Sequence, residues 1–175
     1  MFFTKFPKLI YDIKGDKNRK VVTDVLRRVK VRNKIAKVAN LFDKYDIVDG
    51  ETPEVTALKM YGSVDYFWVV LMTNNITDRY YGWPLSFSEF ELFIFDKYTN
   101  PDDIHHYELA QTSGPTTSSD YSHLIEVNSD EVGASSVSNR EYEQRLNDKR
   151  RQINILDSGF LKAFIFEFEQ LINGE

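Results

Sequence analysis

The pattern of apolar and polar positions predicts two consecutive helices in the middle of the chain. Thr52 can cap a helix, Pro53 suits the first helical position, and Gly62 can end the helix. Residues 65–74 follow and are apolar on nearly all sides, which is typical of a buried helix. Trp68 lies inside this segment, and we therefore predict that its side chain belongs to the core.

The same signals predict three more helices nearer the end of the chain. Capping boxes, in which a serine is followed three positions later by a glutamate, begin at Ser86 and at Ser138. A last helix is predicted to start at Asp157 or Ser158 and to end at Gly174. Its apolar residues recur on one face at helical spacing: Leu161, Phe164, Ile165, Phe168, Leu171 and Ile172.

Short strands are predicted between the helices. Residues 41–48 alternate so that Tyr45 and Ile47 share one face, and residues 121–127 and 151–156 can also form strands. Residues 21–40 fit either a short helix or a strand, residues 1–20 suggest an arm and a turn, and residues 111–120 and 128–138 read as polar loops. The expected fold class is therefore α+β.

Charge and aromatic content point to a protein with partners. Residues 1–50 carry 13 basic and 6 acidic side chains, whereas the whole chain has 22 basic and 27 acidic ones, so the basic N-terminal part is followed by an acidic remainder. The chain has 13 Phe and 10 Tyr residues, and because rings are enriched at interfaces, some of them could be buried against partners. The basic part could contact nucleic acid, or it could meet acidic surfaces of neighbouring subunits.

Few sequence motifs in this chain indicate catalysis or metal binding. The chain has no cysteine, no Gly-x-Ser-x-Gly motif and no glycine-rich phosphate loop. His105 and His106 lie near Asp102 and Asp103, but adjacent residues of a strand point to opposite faces, which suits joint metal binding poorly. We expect no enzyme activity, no cofactor and no metal. We also expect no signal peptide and no membrane span.

Residues 45–76 resemble the LysM module. The resemblance rests on an aromatic residue and a valine before a Gly-Glu-Thr turn, an alanine in the first helix, a Tyr-Gly pair and a closing asparagine: Tyr45, Val48, Gly50-Glu51-Thr52, Ala57, Tyr61-Gly62 and Asn74-Asn75-Ile76. It implies a LysM-like βααβ centre, with residues 77–83 predicted as an aromatic turn rather than a strand. In sugar-binding LysM modules the ligand lies between the turn before the first helix and the loop after the second.

Most of the chain also resembles the baseplate wedge subunit of T-even-like myoviruses, which are contractile-tailed phages. The resemblance is strongest in the tryptophan-led apolar segment and the aromatic turn after it: Trp68-Val69-Val70-Leu71-Met72 and Tyr80-Tyr81-Gly82-Trp83-Pro84. It implies a structural role in the virion tail baseplate, with assembly in the host cytoplasm. The implied partners are other wedge proteins and neighbouring wedges, in multiple copies of a six-fold assembly, without nucleic acid or membrane.

These expectations divide the chain into a basic N-terminal extension (1–44), a LysM-like module (45–83) and a helical C-terminal region (84–175) with polar loops at 111–137. The alternative function is glycan (peptidoglycan) binding by a LysM accessory protein, and a nucleic-acid-binding basic arm is a third possibility. The residues predicted to contact a partner lie in the turn before the first helix, at the end of the second helix and in the aromatic turn: Asp49, Gly50, Glu51, Thr52, Asn74, Tyr80, Tyr81 and Trp83.

Overall fold

The chain folds into two compact units. The computed structural model describes residues 2–12, 14, 15, 17–31, 39–111 and 123–174. Residues 1–83 and 151–175 form the core unit, and residues 84–150 form the inserted unit. The predicted division into segments 1–44, 45–83 and 84–175 stays a prediction.

Helices and strands are mixed along the chain, which confirms the predicted α+β class. The strands within the described residues are β1 (Lys8–Tyr11), β2 (Lys20–Thr23), β3 (Phe42–Asp46), β4 (Ile104–Ala110), β5 (Leu124–Val127), β6 (Ser135–Ser138) and β7 (Gln152–Leu156). The α-helices are α1 (Pro53–Tyr61), α2 (Phe67–Thr73), α3 (Arg79–Gly82), α4 (Phe87–Lys97), α5 (Asn139–Arg151) and α6 (Leu161–Asn173). Short 3₁₀ helices lie at Phe2–Lys5, Ala39–Leu41, Val64–Tyr66 and Ser158–Phe160. None of these helices is long and apolar enough to cross a membrane.

A two-stranded antiparallel sheet organises the core unit. Strand β3 pairs with β7, from Phe42 opposite Leu156 to Asp46 opposite Gln152. Both strands are recognisable in the sequence, but their pairing is not, because the two segments are far apart in the chain. Helices α1 and α2 lie between them in sequence, and buried side chains of the helices and of the strand region share one cluster: Ile47, Ala57, Val70, Trp83, Ile153 and Ile155.

A second cluster of the core unit is aromatic. Trp68 is buried, as predicted, and its ring lies 4.7 Å from that of Phe168 in α6. The ring of Phe2 lies 5.1 Å from that of Trp68, and Phe6 is also buried. The first residues, predicted as part of an arm, therefore pack into the core because their rings bury apolar area against α2 and α6.

A β-hairpin follows this packed start. Strand β1 pairs with β2 from Lys8 opposite Thr23 to Tyr11 opposite Lys20. Asp12 stabilises the connection, since its carboxylate accepts hydrogen bonds from the backbone N–H groups of Gly15 and Lys17, each at 2.8 Å. The ambiguous segment 21–40 thus begins as a strand, and residues 32–38 of it lie outside the described residues.

The inserted unit contains a three-stranded antiparallel sheet in the order β5-β4-β6. The sequence of β4 shows no alternation of apolar and polar residues that would predict a strand. Strand β6 lies in segment 128–138, which we predicted to be a loop. That prediction is wrong for residues 135–138. Both strands depend on pairing with distant segments rather than on local alternation.

A buried asparagine links α5 to the start of the inserted unit. The side-chain oxygen of Asn147 accepts from the N–H of Leu85 at 2.8 Å, and its side-chain N–H donates to the carbonyl of Leu85 at 3.0 Å. Much of loop 111–120 lies outside the described residues.

Helix boundaries agree closely with the local signals, with one exception. The last helix, predicted to start at Asp157 or Ser158, begins as a 3₁₀ turn that Asp157 caps and becomes α-helical at Leu161. Thr52 accepts from the N–H of Val55, and Gly62 ends α1 with φ +73°. Ser86 forms the complete capping box of α4, and Gly174 follows α6 with φ +82°. The prediction of these helices is confirmed. Their ends could be recognised in the sequence because caps act over three or four residues and do not depend on tertiary pairing.

Asn74 joins the end of α2 to the free edge of β7. Its side-chain N–H donates to the carbonyl of Asn154 at 2.8 Å, and its side-chain oxygen accepts from the N–H of Asn154 at 2.8 Å. The same amide also donates to the carbonyl of Val70. No described strand pairs with β7 on this side. The side chain takes the place of such a strand and satisfies backbone groups that burial would otherwise leave unpaired.

We predict that Asn74→Ala lowers the free energy of unfolding by about 1–3 kcal/mol, because the half-buried N–H and C=O of Asn154 lose their partner. Urea unfolding measures this. Asn173→Ala is the matched control, since its amide makes an exposed hydrogen bond to the carbonyl of Glu169. Equal effects of the two substitutions would contradict the role given to Asn74.

Candidate functional site

The turn before α1 is shaped by backbone geometry and by a distant arginine. Gly50 has φ +72°, a left-handed conformation that glycine adopts without strain. Arg151 donates to the carbonyl of Ile47 at 3.3 Å and to the carboxylate of Asp49 at 3.2 Å. Asp49 remains exposed, so this turn presents a carboxylate whose position is set by Arg151.

Glu51 does not point outward from this turn. Its carboxylate is buried and accepts from the Tyr45 hydroxyl at 2.8 Å, the Thr56 hydroxyl at 3.0 Å and the N–H of Val48 at 3.2 Å. The ammonium of Lys59 lies 3.3 Å away. The network joins β3, the turn and α1 through a single side chain.

The environment of Glu51 favours its ionised form. Burial alone would raise the pKa of this carboxyl group, but the hydrogen bonds from Tyr45, Thr56 and Val48 outweigh that effect, and its pKa lies below the usual 4.5. A carboxylate held in this way is a poor proton donor or acceptor near neutral pH. Its role is structural, since its hydrogen bonds link β3, the turn and α1.

Trp83 ends the aromatic turn inside the core. Its indole N–H donates to the backbone carbonyl of Glu51 at 2.7 Å, and its side chain is only 7% exposed. A Cβ added at Gly82 would lie 2.7 Å from a methyl group of Ile76, so only glycine permits this close approach. The hydrogen bond of Trp83 therefore links the segment after α2 to the turn before α1.

Tyr80 and Tyr81 project from the segment after α2. Asp78 caps α3 by accepting from the backbone N–H of Tyr80 at 2.8 Å and of Tyr81 at 3.3 Å. The guanidinium of Arg79 lies 2.7 Å from the carboxylate of Glu54 in α1. The two tyrosines are nevertheless 83% and 79% exposed. Two large rings are thus exposed to solvent on a segment whose backbone is held by the Asp78 cap and by the hydrogen bond of Trp83.

The predicted contact residues fall into two groups. Exposed side chains belong to Asp49, Tyr80 and Tyr81, whereas the others shape, cap or brace the core unit: Gly50, Glu51, Thr52, Asn74 and Trp83. Their role in contacting a partner stays a prediction. Sequence reasoning missed Arg151 and Asn154 as supports, because no local pattern connects them with residues so distant in the chain.

The histidine pair lies in the inserted unit. The Nδ1 atoms of His105 and His106 are 2.8 Å apart, and the ring of His105 stacks on that of Tyr142 at 3.9 Å. The Nε2 of His106 lies 2.9 Å from the carboxylate of Glu108, which also accepts from Arg145 at 2.7 Å. Among the described residues, no group of three metal-ligating side chains is brought together.

Glu51 generates a pH-dependent prediction. Because its folded-state pKa is lowered, its ionised form stabilises the fold above pH 4.5, and this contribution is lost as the pH falls through the folded-state pKa. We expect Glu51→Gln to cost about 1–3 kcal/mol at pH 7 and clearly less at pH 3.5. Urea unfolding at both pH values measures the difference.

The matched control is Glu167→Gln, which changes an exposed carboxylate of α6 in the same unit. It should have little effect at either pH. A cost of Glu51→Gln that does not shrink on acidification would show that the charge of Glu51 is not what stabilises the turn.

Comparison with known proteins identifies the family. Residues 1–110, which include all eight predicted contact residues, match the family model described as base plate wedge protein 53. Baseplate wedge protein gp53 of Enterobacteria phage T4 is 34% identical over 103 residues, which cover 57% of this chain and 53% of that protein. The chain therefore spans about half the length of the curated relative that it matches.

The family match extends over more than half of the chain and includes the aromatic turn, where the sequence resemblance was strongest. It confirms the predicted resemblance to a baseplate wedge subunit. The chain belongs to the base plate wedge protein 53 family.

Proposed function

We propose that this protein is a structural subunit of a phage tail baseplate wedge, which joins wedge proteins and neighbouring wedges through protein–protein contacts. In this proposal it resides in the virion tail baseplate, in multiple copies of a six-fold assembly, and it is assembled in the host cytoplasm. Family membership supports the role, and the arrangement of the candidate site supports the kind of contact.

The observation that carries the proposal is the exposed tyrosine pair on the short helix α3, whose backbone is held by hydrogen bonds. Tyrosine rings are enriched at interface hot spots because they bury large area and lose little side-chain entropy. The cap at Asp78 and the buried Trp83 hold the backbone of Tyr80 and Tyr81 in place before any partner arrives. A preformed turn lowers the entropic cost of binding.

The contact surface that we propose comprises Asp49, Tyr80 and Tyr81. Gly50, Glu51, Thr52 and Trp83 act indirectly, by holding the two turns that carry these side chains. Asn74 acts indirectly by joining α2 to β7. The indole of Trp83 bonds to the carbonyl of Glu51, so the two turns form one continuous support. We propose that a partner engages both turns together, without enzyme chemistry.

We further infer that the core unit has a LysM-like βααβ centre. Strand β3, helices α1 and α2, and strand β7 follow one another in that order, and the two strands pair antiparallel. The closing strand comes after residues 84–150 instead of directly after α2. Residues 79–82, which lie in the predicted aromatic turn, form the short helix α3. In this proposal the extension 1–44 and the region 84–175 provide additional contacts around the module.

The test is co-assembly of the purified protein with the other wedge proteins of the same phage. We expect the double variant Tyr80→Ala/Tyr81→Ala to bind at least tenfold more weakly, since two hot-spot rings each contribute more than about 1 kcal/mol. Sedimentation or size-exclusion chromatography of the assembled particles measures this binding.

Two controls isolate the rings. Tyr80→Phe/Tyr81→Phe keeps the ring area and should retain most of the binding, and Phe166→Ala removes an exposed ring from α6 of the same unit. Wild-type assembly by the double alanine variant would contradict the proposed surface. Failure of the unaltered protein to join wedge particles, together with retention on peptidoglycan through Tyr80, would support glycan binding instead.

A further inference from the structure

The β1–β2 hairpin has two backbone edges that no described strand covers. Among the described strands it forms a sheet of its own, in which β1 and β2 pair only with each other. The N–H of Asp24 donates to the carbonyl of Pro7 at 2.8 Å, which fixes the alternation of hydrogen-bonded and non-bonded pairs along the ladder. Counting from that bond, Leu9 opposite Val22 is a bonded pair and Ile10 opposite Val21 is a non-bonded pair.

This alternation decides which backbone groups face outward. The N–H and C=O groups of Ile10 point away from β2, and those of Val21 point away from β1. Each edge therefore offers a donor and an acceptor to an additional strand. The side chains of the same two residues lie opposite each other on one face of the hairpin, and each is 68% exposed.

A hairpin of this kind is incomplete as a stable sheet. Two strands alone are marginally stable in water, and a third strand or a packed face is usually needed. Two directly opposed β-branched side chains in solvent leave apolar area that an added strand would cover. Its base is nevertheless well anchored, because Phe2 and Phe6 pack against the core immediately before β1.

The charge of the hairpin indicates the chemistry of its partner. Residues 8–23 contain five basic and two acidic side chains: Lys8, Lys14, Lys17, Arg19 and Lys20, against Asp12 and Asp16. Asp12 is engaged by the backbone of the turn. Lysines along an edge oppose pairing with a second basic copy and favour an acidic segment.

We propose that an acidic, extended segment of another wedge protein adds a third strand to this hairpin. The added strand bonds to the outward backbone groups of Ile10 or Val21, places an apolar side chain over the exposed Ile10–Val21 pair, and sets carboxylates near the lysines. Main-chain bonding supplies the affinity, and the side-chain pattern supplies the specificity. This inference rests on the proposed function, since it names a second contact of the same subunit.

Hydrogen–deuterium exchange tests the proposal on the free protein and on the wedge particle that contains it. The outward amides of Ile10 and Val21 should exchange quickly in the free protein. On assembly, the amide on the covered edge should slow at least tenfold. The inward amides of Leu9 and Val22 should be protected in both states, which reports that the hairpin itself is folded.

Proline variants test the same edge by function. Val21→Pro and Ile10→Pro each remove one outward N–H while leaving the bonded pairs of the hairpin in place, and proline is tolerated at such edge positions. The variant on the edge that exchange shows to be covered should enter particles at least tenfold less efficiently. Val21→Thr and Ile10→Thr keep the amide and the branched shape, and they should retain most of the binding.

The outcomes separate this inference from the proposed function. If the unaltered protein does not join particles, the proposed function fails. If it joins them while both outward amides stay unprotected and both proline variants assemble normally, strand addition is overturned and the structural role remains. Protection of the hairpin by duplex DNA alone, lost steeply with added salt, would overturn an acidic protein partner.

Discussion

The pairing of β3 with β7 is the constraint on which the core unit depends. It brings residues 42–46 against residues 152–156, so that the segments before residue 84 and after residue 150 share one core. Ile153 and Ile155 meet Val70 and Trp83 because this pairing places them there. The entropic cost of closing a long loop grows only slowly with its length, so a whole folded unit can lie between the two strands.

Polar side chains in buried and half-buried positions make that arrangement specific. Asn74 binds the free edge of β7, and Glu51 gathers the donors of Tyr45, Thr56 and Val48. Hydrogen bonds add only modest net stability, but a buried group that loses its partner is costly, so these contacts select one register and one turn geometry. The consequence for the proposed function is indirect: the exposed tyrosines belong to a surface whose shape is set by the fold itself.

Local signals made much of the fold predictable. The caps at Thr52 and Ser86 and the glycines at 62 and 174 act within a few residues, and the helices that they delimit are confirmed. The pairing of β3 with β7 and the strands β4 and β6 could not be derived, because register between distant segments leaves no local pattern. For the same reason, the supporting role of Arg151 became visible only in the structure.

The proposal depends most on Tyr80 and Tyr81, whose exposed rings we propose to be buried against another wedge protein. Hydroxyl-radical footprinting of the free protein and of the assembled wedge measures this directly, because modification of a tyrosine ring follows its solvent exposure. The account predicts strong modification of Tyr80 and Tyr81 in the free protein and marked protection in the particle. Equal modification of both rings in the free and assembled states would contradict it.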